Sequence, residues 1–322
     1  MLLFLLIGFS METLSQMEIF QDYQMEILQD YDITNLSTLR VRAKVSYFVE
    51  PETIEELISA VSLAKEKNLK TYFLGGGSNS LLSSRNIDAF LISTLKLDFI
   101  NELGDGLFEV GAGLKMPRFC GKMIHKSLTG VEFMVGIPGS IGGGIIMNAG
   151  AHGREFAQVF VSAKVLDLDT LAIKELNFQD LNFKYRSSSI NPDKQCILSA
   201  VLKLEYSDKD KIRETVAHYN AARTTSQPLK AWTCGCTFKN PDNFSAGKLI
   251  QESGGKLMQI GDLRVSNVHA NFFENIGAGS SIDFCNLVSQ IQRLVKQEKN
   301  IKLSPEVRPI GEFTEEELKI WL

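Results

Sequence analysis

The chain has 322 residues, of which 44% are hydrophobic and 22% are charged, a composition typical of globular proteins. Its 34 basic and 38 acidic residues give a net charge of −4. This excludes a general nucleic-acid binder, because neutralising phosphates requires a basic surface. The five cysteines are scattered, as in a reducing compartment, so we expect a cytoplasmic protein. Only Cys234 and Cys236 lie close together, far from every histidine, and no metal site is expected.

The N-terminal region differs from the rest of the chain. Residues 1–10 form an apolar run that lacks a preceding basic residue and a cleavage site, and it is too short to span a bilayer. A tandem octad follows, QMEIFQDY at 16–23 and QMEILQDY at 24–31. We expect residues 1–31 to be a dispensable extension, either disordered or absent from the native protein.

The next segment predicts a small α/β unit. Residues 34–50 are typical of extended structure, and Thr53 with Glu56 forms a capping box for a helix whose apolar residues follow a 3.6-residue period. Residues 71–74 are typical of a strand that leads directly into a glycine-rich turn at 75–79.

A second α/β region follows. Strand-like runs over 89–110 precede a helix at about 117–125, with Pro117 at an early helical position. A second glycine cluster occupies 136–153, and three strands are predicted at 159–166, 171–178 and 196–204.

The C-terminal part is predicted to begin with a connecting helix over 208–222. Ser245 is the expected cap of a short helix that ends near 253, strand-like sequence covers 267–274, and a longer amphipathic helix is expected at about 283–296. There is no low-complexity linker in the sequence, so we expect the lobes to pack together.

Two glycine-rich turns, each near strand-like sequence, indicate an anion-binding site. Glycine permits φ > 0 and lets backbone N–H groups approach a pyrophosphate. A P-loop is excluded, because no Gly-Lys pair is followed by Ser or Thr. A dinucleotide fingerprint at Gly75 lacks its third glycine. Two structural turns without a ligand remain the alternative.

Six ordered motifs carry a resemblance. They are GGGSNSLL (75–82), GIPGSIGGGIIMNAGAHG (136–153), KYRSS (184–188), GCTFKNP (235–241), SAGKLIQESG (245–254) and SPEVRPIG (304–311). Over about residues 35–311 the chain resembles the UDP-N-acetylenolpyruvoylglucosamine reductases, flavoenzymes of peptidoglycan precursor synthesis. It lacks the inserted segment of the longer subtype and so resembles the shorter, type II form.

The resemblance implies an FAD-binding PCMH fold of the vanillyl-alcohol-oxidase type. Two α/β lobes (32–97 and 98–207) would hold FAD, and a C-terminal α+β lobe (208–322) would bind the substrate. FAD would be bound non-covalently, so attachment to His152 is not expected. The implied cofactor-binding residues are Gly75, Gly76, Gly77, Ser78, Asn79, Ser80, Gly136, Ile137, Pro138, Gly139, Ser140, Gly142, Gly143, Asn148, Ala149 and Gly153.

The resemblance also implies a reaction. NADPH would reduce FAD, and the reduced flavin would reduce the enol ether of a UDP-sugar to UDP-N-acetylmuramate. Arg186 and Glu306 fall on the family's catalytic positions. Cys236 falls where the family commonly has a serine proton donor, and a thiol is the stronger acid. The alternative is that Cys236 is a small buried residue and that water supplies the proton.

Four further residues are expected to bind the substrate, namely Tyr185, Lys239, Asn240 and Arg223. We expect a monomer or a weakly associating oligomer that binds neither nucleic acid nor membrane. Two other functions stay open from the sequence: an FAD oxidase on the same cofactor fold, and a catalytically silent sugar-nucleotide binder.

Overall fold

The computed structural model of the protein describes residues 17–19 and 25–322. Its first lobe is built on a five-stranded mixed sheet in the order β1-β2-β3-β6-β4, in which β3, β4 and β6 are parallel. Its elements are β1 (Met17–Ile19), β2 (Glu26–Asp32), β3 (Lys44–Val49), α1 (Ile54–Glu66), β4 (Lys70–Leu74), β5 (Ser80–Leu82) and β6 (Ile87–Ser93).

Strand β2 changes the expected N-terminal boundary. It pairs with β3 along the sheet, and Ile27 is fully buried. Residues 26–31 therefore belong to the first lobe rather than to a dispensable extension. Strand β1, from the first copy of the octad, pairs antiparallel with β2, from the second copy. The apolar run at 1–10 lies outside the described residues.

Helix α1 begins as its sequence predicts. The Thr53 hydroxyl accepts a hydrogen bond from the Glu56 N–H at 3.1 Å, which satisfies one of the free N–H groups of the first turn. The Glu56 carboxylate accepts from the N–H of Glu52 at 2.7 Å rather than from that of Thr53. The predicted N-terminus of the helix is confirmed. The hydrogen bond from the Glu56 side chain back to the backbone is made to Glu52, one residue before the cap, instead of to Thr53.

The second lobe contains a five-stranded antiparallel sheet in the order β13-β12-β14-β8-β7. Its elements are β7 (Ile100–Gly104), β8 (Leu107–Gly111), α2 (Met116–His125), β9 (Leu128–Thr129), α3 (Ile141–Ile146), β10 (Gly150–Ala151), β11 (Arg154–Glu155), β12 (Phe160–Asp167), β13 (Ile173–Asn177), β14 (Gln195–Lys203), β15 (Glu205–Tyr206) and α4 (Lys209–Ser226). The predicted strands and helix α2 are confirmed within one or two residues.

Helix α4 belongs to the second lobe by its packing. Val216 and Tyr219 contact the core of that lobe, although the sequence grouped residues 208–322 into the C-terminal lobe. The helix begins after Asp208, whose carboxylate accepts from the N–H groups of residues 210 and 211. The connection to the third lobe therefore follows residue 226 rather than residue 207.

The third lobe packs two helices against a small antiparallel sheet. Its elements are α5 (Ala246–Glu252), β16 (Gln259–Ile260), β17 (Leu263–Val265), β18 (Phe273–Asn275), α6 (Ser281–Lys299), β19 (Arg308–Ile310) and α7 (Glu315–Leu318). The strand expected over 267–274 is reduced to β18, because residues 266–272 close into a loop through Ser266 N–H to Phe272 O and Phe272 N–H to His269 O. Helix α6 starts earlier than expected, with Ser280 as its cap.

The lobes share buried cores, as the sequence predicts. Residues of β14 and of the turn after β12 pack with α1 and β6 of the first lobe. Leu39, Val41 and Leu81 of the first lobe pack within the third. Strand β19 pairs parallel with β5. Among the described residues no helix is long and apolar enough to cross a membrane.

Candidate active site

A cavity of about 800 Å³ lies where the three lobes meet. This volume falls within the range of about 300–1,000 Å³ of ligand sites. Its lining brings together segments that are distant in the sequence: both glycine-rich turns, residues 149–152, Arg186, most of residues 227–236, Glu306 and residues 308–310. The cavity is therefore the place where the predicted cofactor and catalytic residues could act together.

The first glycine turn follows β4 and closely approaches the second. A Cβ on Gly76 would lie 2.8 Å from the Pro138 carbonyl oxygen, so any larger residue would force the two turns apart. Gly77 has φ of 61°, and its Cβ would lie 2.0 Å from the Leu36 carbonyl oxygen. Glycine is required at both positions because of these contacts.

The second glycine cluster forms a short helix, α3, rather than a turn alone. Ser140 caps it by accepting from the Gly143 N–H at 3.5 Å. Gly144 faces Phe156, since a Cβ there would lie 2.8 Å from that ring. The glycines let α3 pack tightly against the rest of the second lobe and bring its first backbone N–H groups beside Gly75, where an added Cβ would lie 2.2 Å from the Ser140 Oγ.

Most of the predicted cofactor residues line the cavity, and two do not. Gly153 and Asn148 are absent from the lining. Asn148 is fully buried, and its amide is occupied: Nδ2 donates to the Lys184 carbonyl at 3.2 Å and Oδ1 accepts from the Ala157 N–H at 3.0 Å. Asn148 therefore braces the backbone behind the site instead of facing a ligand. The predicted residues that line the cavity are Gly75, Gly76, Gly77, Ser78, Asn79, Ser80, Gly136, Ile137, Pro138, Gly139, Ser140, Gly142, Gly143 and Ala149.

Arg186 lies at the tip of a tight turn. The backbone groups of Lys184 and Ser187 exchange two hydrogen bonds of 3.0 and 3.1 Å, and Arg186 has φ of 53°. Its Nη2 donates to the Gly150 carbonyl at 2.9 Å. This side chain is thus held at both its backbone and its guanidinium, which suits a residue that must present a fixed planar fork.

Glu306 is the partner of Arg186. The Arg186 Nε lies 3.2 Å from the Glu306 Oε1, with only 22% and 15% of the two side chains exposed. Burial raises the pKa of the Glu306 carboxyl, and the nearby positive charges of Arg186 and Lys239 oppose that rise. The structure therefore brings together two of the three predicted catalytic residues as an ion pair.

Cys236, the third, lies in the same cavity. Burial, together with the negative charge of Glu306, raises the pKa of its thiol to about 12, and the positive charge of Arg186 acts in the opposite direction. Gly235 between them has φ of 79°, and Cys234 on one side of it is buried, whereas Cys236 on the other is partly accessible. The thiol is consequently protonated at neutral pH.

The four predicted substrate residues divide into two groups. Tyr185 and Asn240 contact each other, through the Asn240 N–H and the Tyr185 hydroxyl at 3.4 Å, and together with Lys239 they lie outside the cavity lining. Arg223 lines the cavity. A Cβ on Gly136 would lie 2.7 Å from the Arg223 Cδ, so Arg223 packs on the second glycine cluster rather than beside the other three.

Comparison with known proteins decides the family. One family model, described as the C-terminal domain of UDP-N-acetylenolpyruvoylglucosamine reductase, matches residues 227–310, and another, described as an FAD binding domain, matches residues 45–173. A UDP-N-acetylenolpyruvoylglucosamine reductase from Caldicellulosiruptor saccharolyticus is 35% identical over 283 residues, which cover 87% of this chain and 91% of the relative. The chain belongs to the UDP-N-acetylenolpyruvoylglucosamine reductase family.

Similarity to other members of the family supports this assignment. A reductase of the same name from Prochlorococcus marinus is 37% identical over 282 residues, covering 87% of this chain and 95% of the relative. The crystal structure of UDP-N-acetylenolpyruvylglucosamine reductase from Thermus caldophilus matches with a TM-score of 0.75 and 30% identity, covering 89% of this chain and 98% of that one. The resemblance and the FAD-binding fold predicted from the sequence are thereby confirmed.

FAD and NADPH are the cofactors of this reductase family, and the cavity fits FAD. Its volume is about 800 Å³. The two glycine turns approach so closely that a Cβ on Gly76 would clash with the second turn, and their backbones form a cradle suited to a pyrophosphate. Arg223 is the nearest lining cation to Gly136. Burial lowers the pKa of its guanidinium.

Among the lining residues that sequence reasoning missed, Arg308 and Tyr219 carry polar groups into the cavity of this reductase. Arg308 lines the cavity, and its backbone N–H donates to the Asn79 carbonyl at 3.0 Å. It forms no ion pair among residues 25–322, and burial lowers its pKa. Tyr219 also lines the cavity and stacks on His152, with ring centroids 3.9 Å apart. The position of Arg308 two residues after Glu306 was the available signal, because alternate residues of an extended segment share a face.

Proposed function

We propose that this protein reduces UDP-N-acetyl-3-O-(1-carboxyvinyl)glucosamine to UDP-N-acetylmuramate, with FAD and NADPH. The observation that carries the proposal is the convergence of Arg186, Glu306 and Cys236 on the cavity formed by the two glycine turns. An anion receptor, its counter-charge and an acid lie in one site. This is the set of groups that reduction of a carboxylate-bearing double bond requires.

FAD held by the two glycine turns would, once reduced by NADPH, supply a hydride for the terminal carbon of the enolpyruvyl group. The two electrons enter the double bond, and negative charge develops on the carbon beside the carboxylate and on the carboxylate itself. A proton delivered to that carbon completes the addition. The protein must therefore stabilise the developing charge and hold one acidic proton nearby.

Arg186 is suited to the first task. A planar guanidinium can donate two parallel hydrogen bonds to a carboxylate, and five N–H donors are available on the side chain. Two of its nitrogens already contact Glu306 and the Gly150 carbonyl, which fixes the plane of the fork. Its restricted exposure places the charge where water screens it less.

Cys236 is suited to the second task. A general acid must carry its proton at the working pH, and the raised pKa of Cys236, about 12, keeps the thiol protonated. Glu306 contributes to that rise because a nearby carboxylate disfavours the thiolate. We assign Cys236 as the donor to the carbon beside the substrate carboxylate, and Glu306 as the group that orients Arg186.

The sugar-nucleotide diphosphate is assigned to residues outside the cavity lining. Tyr185, Lys239 and Asn240 supply a hydroxyl, an ammonium and an amide. The Tyr185 ring also lies under the Arg186 guanidinium, 5.1 Å from centroid to Cζ, which supports a continuous path from diphosphate to enolpyruvyl group. Arg223 is reassigned to the cofactor, because it packs on Gly136.

We further propose that the protein acts in the cytoplasm as a monomer or a weakly associating oligomer. All five cysteines are unpaired, which fits a reducing compartment. Gel filtration of the FAD-bound protein at several concentrations tests the monomer.

The decisive experiment follows NADPH absorbance in the purified, FAD-containing protein. We expect NADPH to be consumed stoichiometrically only when the enolpyruvyl sugar nucleotide is added, under anaerobic conditions. Consumption that needs oxygen and not the sugar nucleotide would identify an oxidase instead. Binding of the sugar nucleotide without NADPH consumption would identify a catalytically silent binder.

A further inference from the structure

The segment that carries Cys236 is held from both sides. On one side, the Thr237 carbonyl accepts a hydrogen bond from the Glu306 N–H at 2.8 Å. On the other side, Cys236 pairs with Phe272 in an isolated antiparallel bridge. The Thr237 N–H donates to the Asn271 carbonyl at 2.7 Å. The assigned proton donor therefore lies between the segment of Glu306 and the loop that ends at Phe272.

The side chain of Asn271 adds to this support. Asn271 is 2% exposed, and its amide makes two hydrogen bonds to the backbone of Phe238. Oδ1 accepts from the Phe238 N–H at 2.9 Å, and Nδ2 donates to the Phe238 carbonyl at 2.8 Å. Both bonds are buried, where a lost partner is costly. The amide thus takes the place of a strand partner for Phe238, two residues after Cys236.

Asn271 is itself held by its own loop. Its backbone N–H donates to the His269 Nδ1 at 3.2 Å, and burial lowers the pKa of that imidazole, which favours the neutral form that can accept. The Phe272 N–H donates to the His269 carbonyl at 2.8 Å, and the Ser266 N–H donates to the Phe272 carbonyl at 2.8 Å. The loop therefore fixes the backbone from which the amide projects.

The amide of Asn271 also acts on the thiol of Cys236. Burial, and after it the charge of Glu306, raise the pKa of this thiol. The charge of Arg186 and a hydrogen bond from the Asn271 side chain act in the opposite direction. Nδ2 carries two N–H groups, so it can donate to the Phe238 carbonyl and to sulfur together. A sulfur that accepts from Asn271 leaves its own S–H free to face the cavity that Cys236 lines.

Proton delivery makes this hydrogen bond stronger. The S–H bond of Cys236 breaks, a C–H bond forms on the carbon beside the substrate carboxylate, and the S–H electron pair stays on sulfur as a thiolate until solvent reprotonates it. A buried negative charge beside Glu306 is costly unless hydrogen-bond donors face it. Hydrogen bonds to charged groups are stronger than those between neutral groups, so the amide stabilises the thiolate more than the thiol.

We propose that Asn271 is a positioning residue for proton delivery: it holds Cys236 toward the substrate and stabilises the thiolate that remains after the proton has left. This inference rests on the proposed function, in which Cys236 is the donor. Asn271 does not line the cavity. It should therefore affect the rate of proton delivery and not the affinity for the sugar nucleotide.

Asn275 provides a matched control in the same lobe. It is 3% exposed, and its Nδ2 donates to the Leu39 and Arg40 carbonyls, each at 3.1 Å. Its backbone N–H donates to the Trp232 carbonyl at 2.8 Å. Like Asn271 it is a buried amide that joins distant backbone segments, but it joins segments other than 236–238. Loss of stability alone can thereby be separated from an effect on the donor.

The test compares Asn271→Ala, Asn271→Asp and Asn275→Ala in the FAD-bound enzyme. Anaerobic stopped-flow oxidation of the NADPH-reduced flavin by the sugar nucleotide gives a limiting rate and an apparent Kd. We expect both Asn271 variants to lower the limiting rate about 10- to 10²-fold, as loss of a hydrogen bond to a charged group does. The apparent Kd and the reduction of the flavin by NADPH should not change. Asn275→Ala should lower Tm and leave all three quantities unchanged.

Asn271→Asp keeps the test valid if the alanine variant does not fold. Aspartate has the size of asparagine and an acceptor for the Phe238 N–H, but it lacks the amide N–H groups. Its carboxylate, when ionised, also disfavours a thiolate nearby. A wild-type limiting rate in Asn271→Asp would overturn the inference.

A double variant decides whether Asn271 acts through Cys236. The donor is absent from Cys236→Ala, so adding Asn271→Ala should slow flavin oxidation by no more than about twofold, because residues that act as a unit are not additive. A further loss of about tenfold in that background would overturn the inference. Failure of the wild type to oxidise its reduced flavin with the sugar nucleotide would instead refute the proposed function, so the two failures are distinguishable.

Discussion

The Arg186 Nε lies 3.2 Å from the Glu306 Oε1, which joins a turn of the second lobe to the segment that leads into β19. Both backbones are held independently: the turn by its paired hydrogen bonds, and Glu306 by its N–H bond to the Thr237 carbonyl at 2.8 Å. Because both backbones are fixed by hydrogen bonds, forming the ion pair costs little side-chain entropy. Such a pair retains more attraction than one on the surface.

Arg186→Lys tests whether Arg186 acts through its positive charge alone or also through the planar geometry of its guanidinium. A lysine keeps the positive charge but lacks the planar fork, so we expect oxidation of the reduced flavin by the sugar nucleotide to slow about 10²-fold or more. Reduction of the flavin by NADPH should change little. Stopped-flow measurement of the two half-reactions checks this, with Arg118→Lys, from the exposed pair with Asp98, as the control. Equal slowing of both half-reactions would contradict the assignment.

The identity of the proton donor is tested at Cys236. Cys236→Ser replaces the thiol with a hydroxyl, which can also donate a proton, and should retain substantial activity, whereas Cys236→Ala should lose about 10²- to 10⁴-fold in turnover, the usual contribution of general acid catalysis. FAD content, read from flavin absorption, should be unchanged in both. Cys285→Ala, a buried thiol in the third lobe, controls for the loss of a thiol from a core. Normal turnover of Cys236→Ala would show that water supplies the proton.

The pH dependence of the substrate half-reaction follows from the direction in which the pKa of Cys236 is shifted. The donor is active while protonated, and its pKa is raised to about 12, first by burial and then by the charge of Glu306. An ordinary thiol would ionise near about 8.5. We therefore expect flavin oxidation by the sugar nucleotide to stay constant through that region and to fall only above about pH 11. A decline in the rate of flavin oxidation centred near the pKa of an ordinary thiol would show that the site does not raise the pKa of Cys236.

Local signals were predictable from the sequence because their physical causes are local. Thr53 caps α1, Ser245 caps α5 and Pro117 lies in the first turn of α2, since these residues act on backbone groups within a few positions. The glycine turns were recognised for the same reason. The extent of β2 was not, because the octad carries no turn or cap that marks where the sheet begins.

Residues whose roles depend on distant partners could not be assigned in this way. Asn148 stands in a motif that suggests a ligand contact, yet its partners are the backbones of Lys184 and Ala157. Arg40 and Trp232 are distant in the sequence and become neighbours only through Asn275. Family resemblance supplies motif positions, whereas the direction that each side chain faces comes from tertiary packing.

Contact between the glycine turns is tested by Gly76→Ala. Its Cβ would lie 2.8 Å from the Pro138 carbonyl oxygen, so the turns must separate by several tenths of an ångström and the cradle for the pyrophosphate is distorted. We expect at least tenfold weaker FAD binding, about 1.4 kcal/mol, measured by titrating apoprotein with FAD. Gly121→Ala in α2, where a Cβ meets nothing within 4 Å, is the control and should leave FAD binding unchanged. Wild-type affinity in Gly76→Ala would show that the turns move freely.

The N-terminal boundary is tested by two truncations. A chain starting at Met25 keeps β2 and the buried Ile27, and among the described residues it loses β1, which pairs with the outer edge of that strand. We expect it to fold and to turn over substrate normally. A chain starting at Asp32 loses the whole of β2 apart from its last residue. Removal of the Ile27 side chain alone costs about 2–5 kcal/mol, and the loss of backbone pairing with β3 adds to this. Thermal unfolding should show a large drop in Tm for the shorter chain and little change for the longer one. Similar Tm values for the two truncations would mean that β2 contributes nothing to the stability of the first lobe.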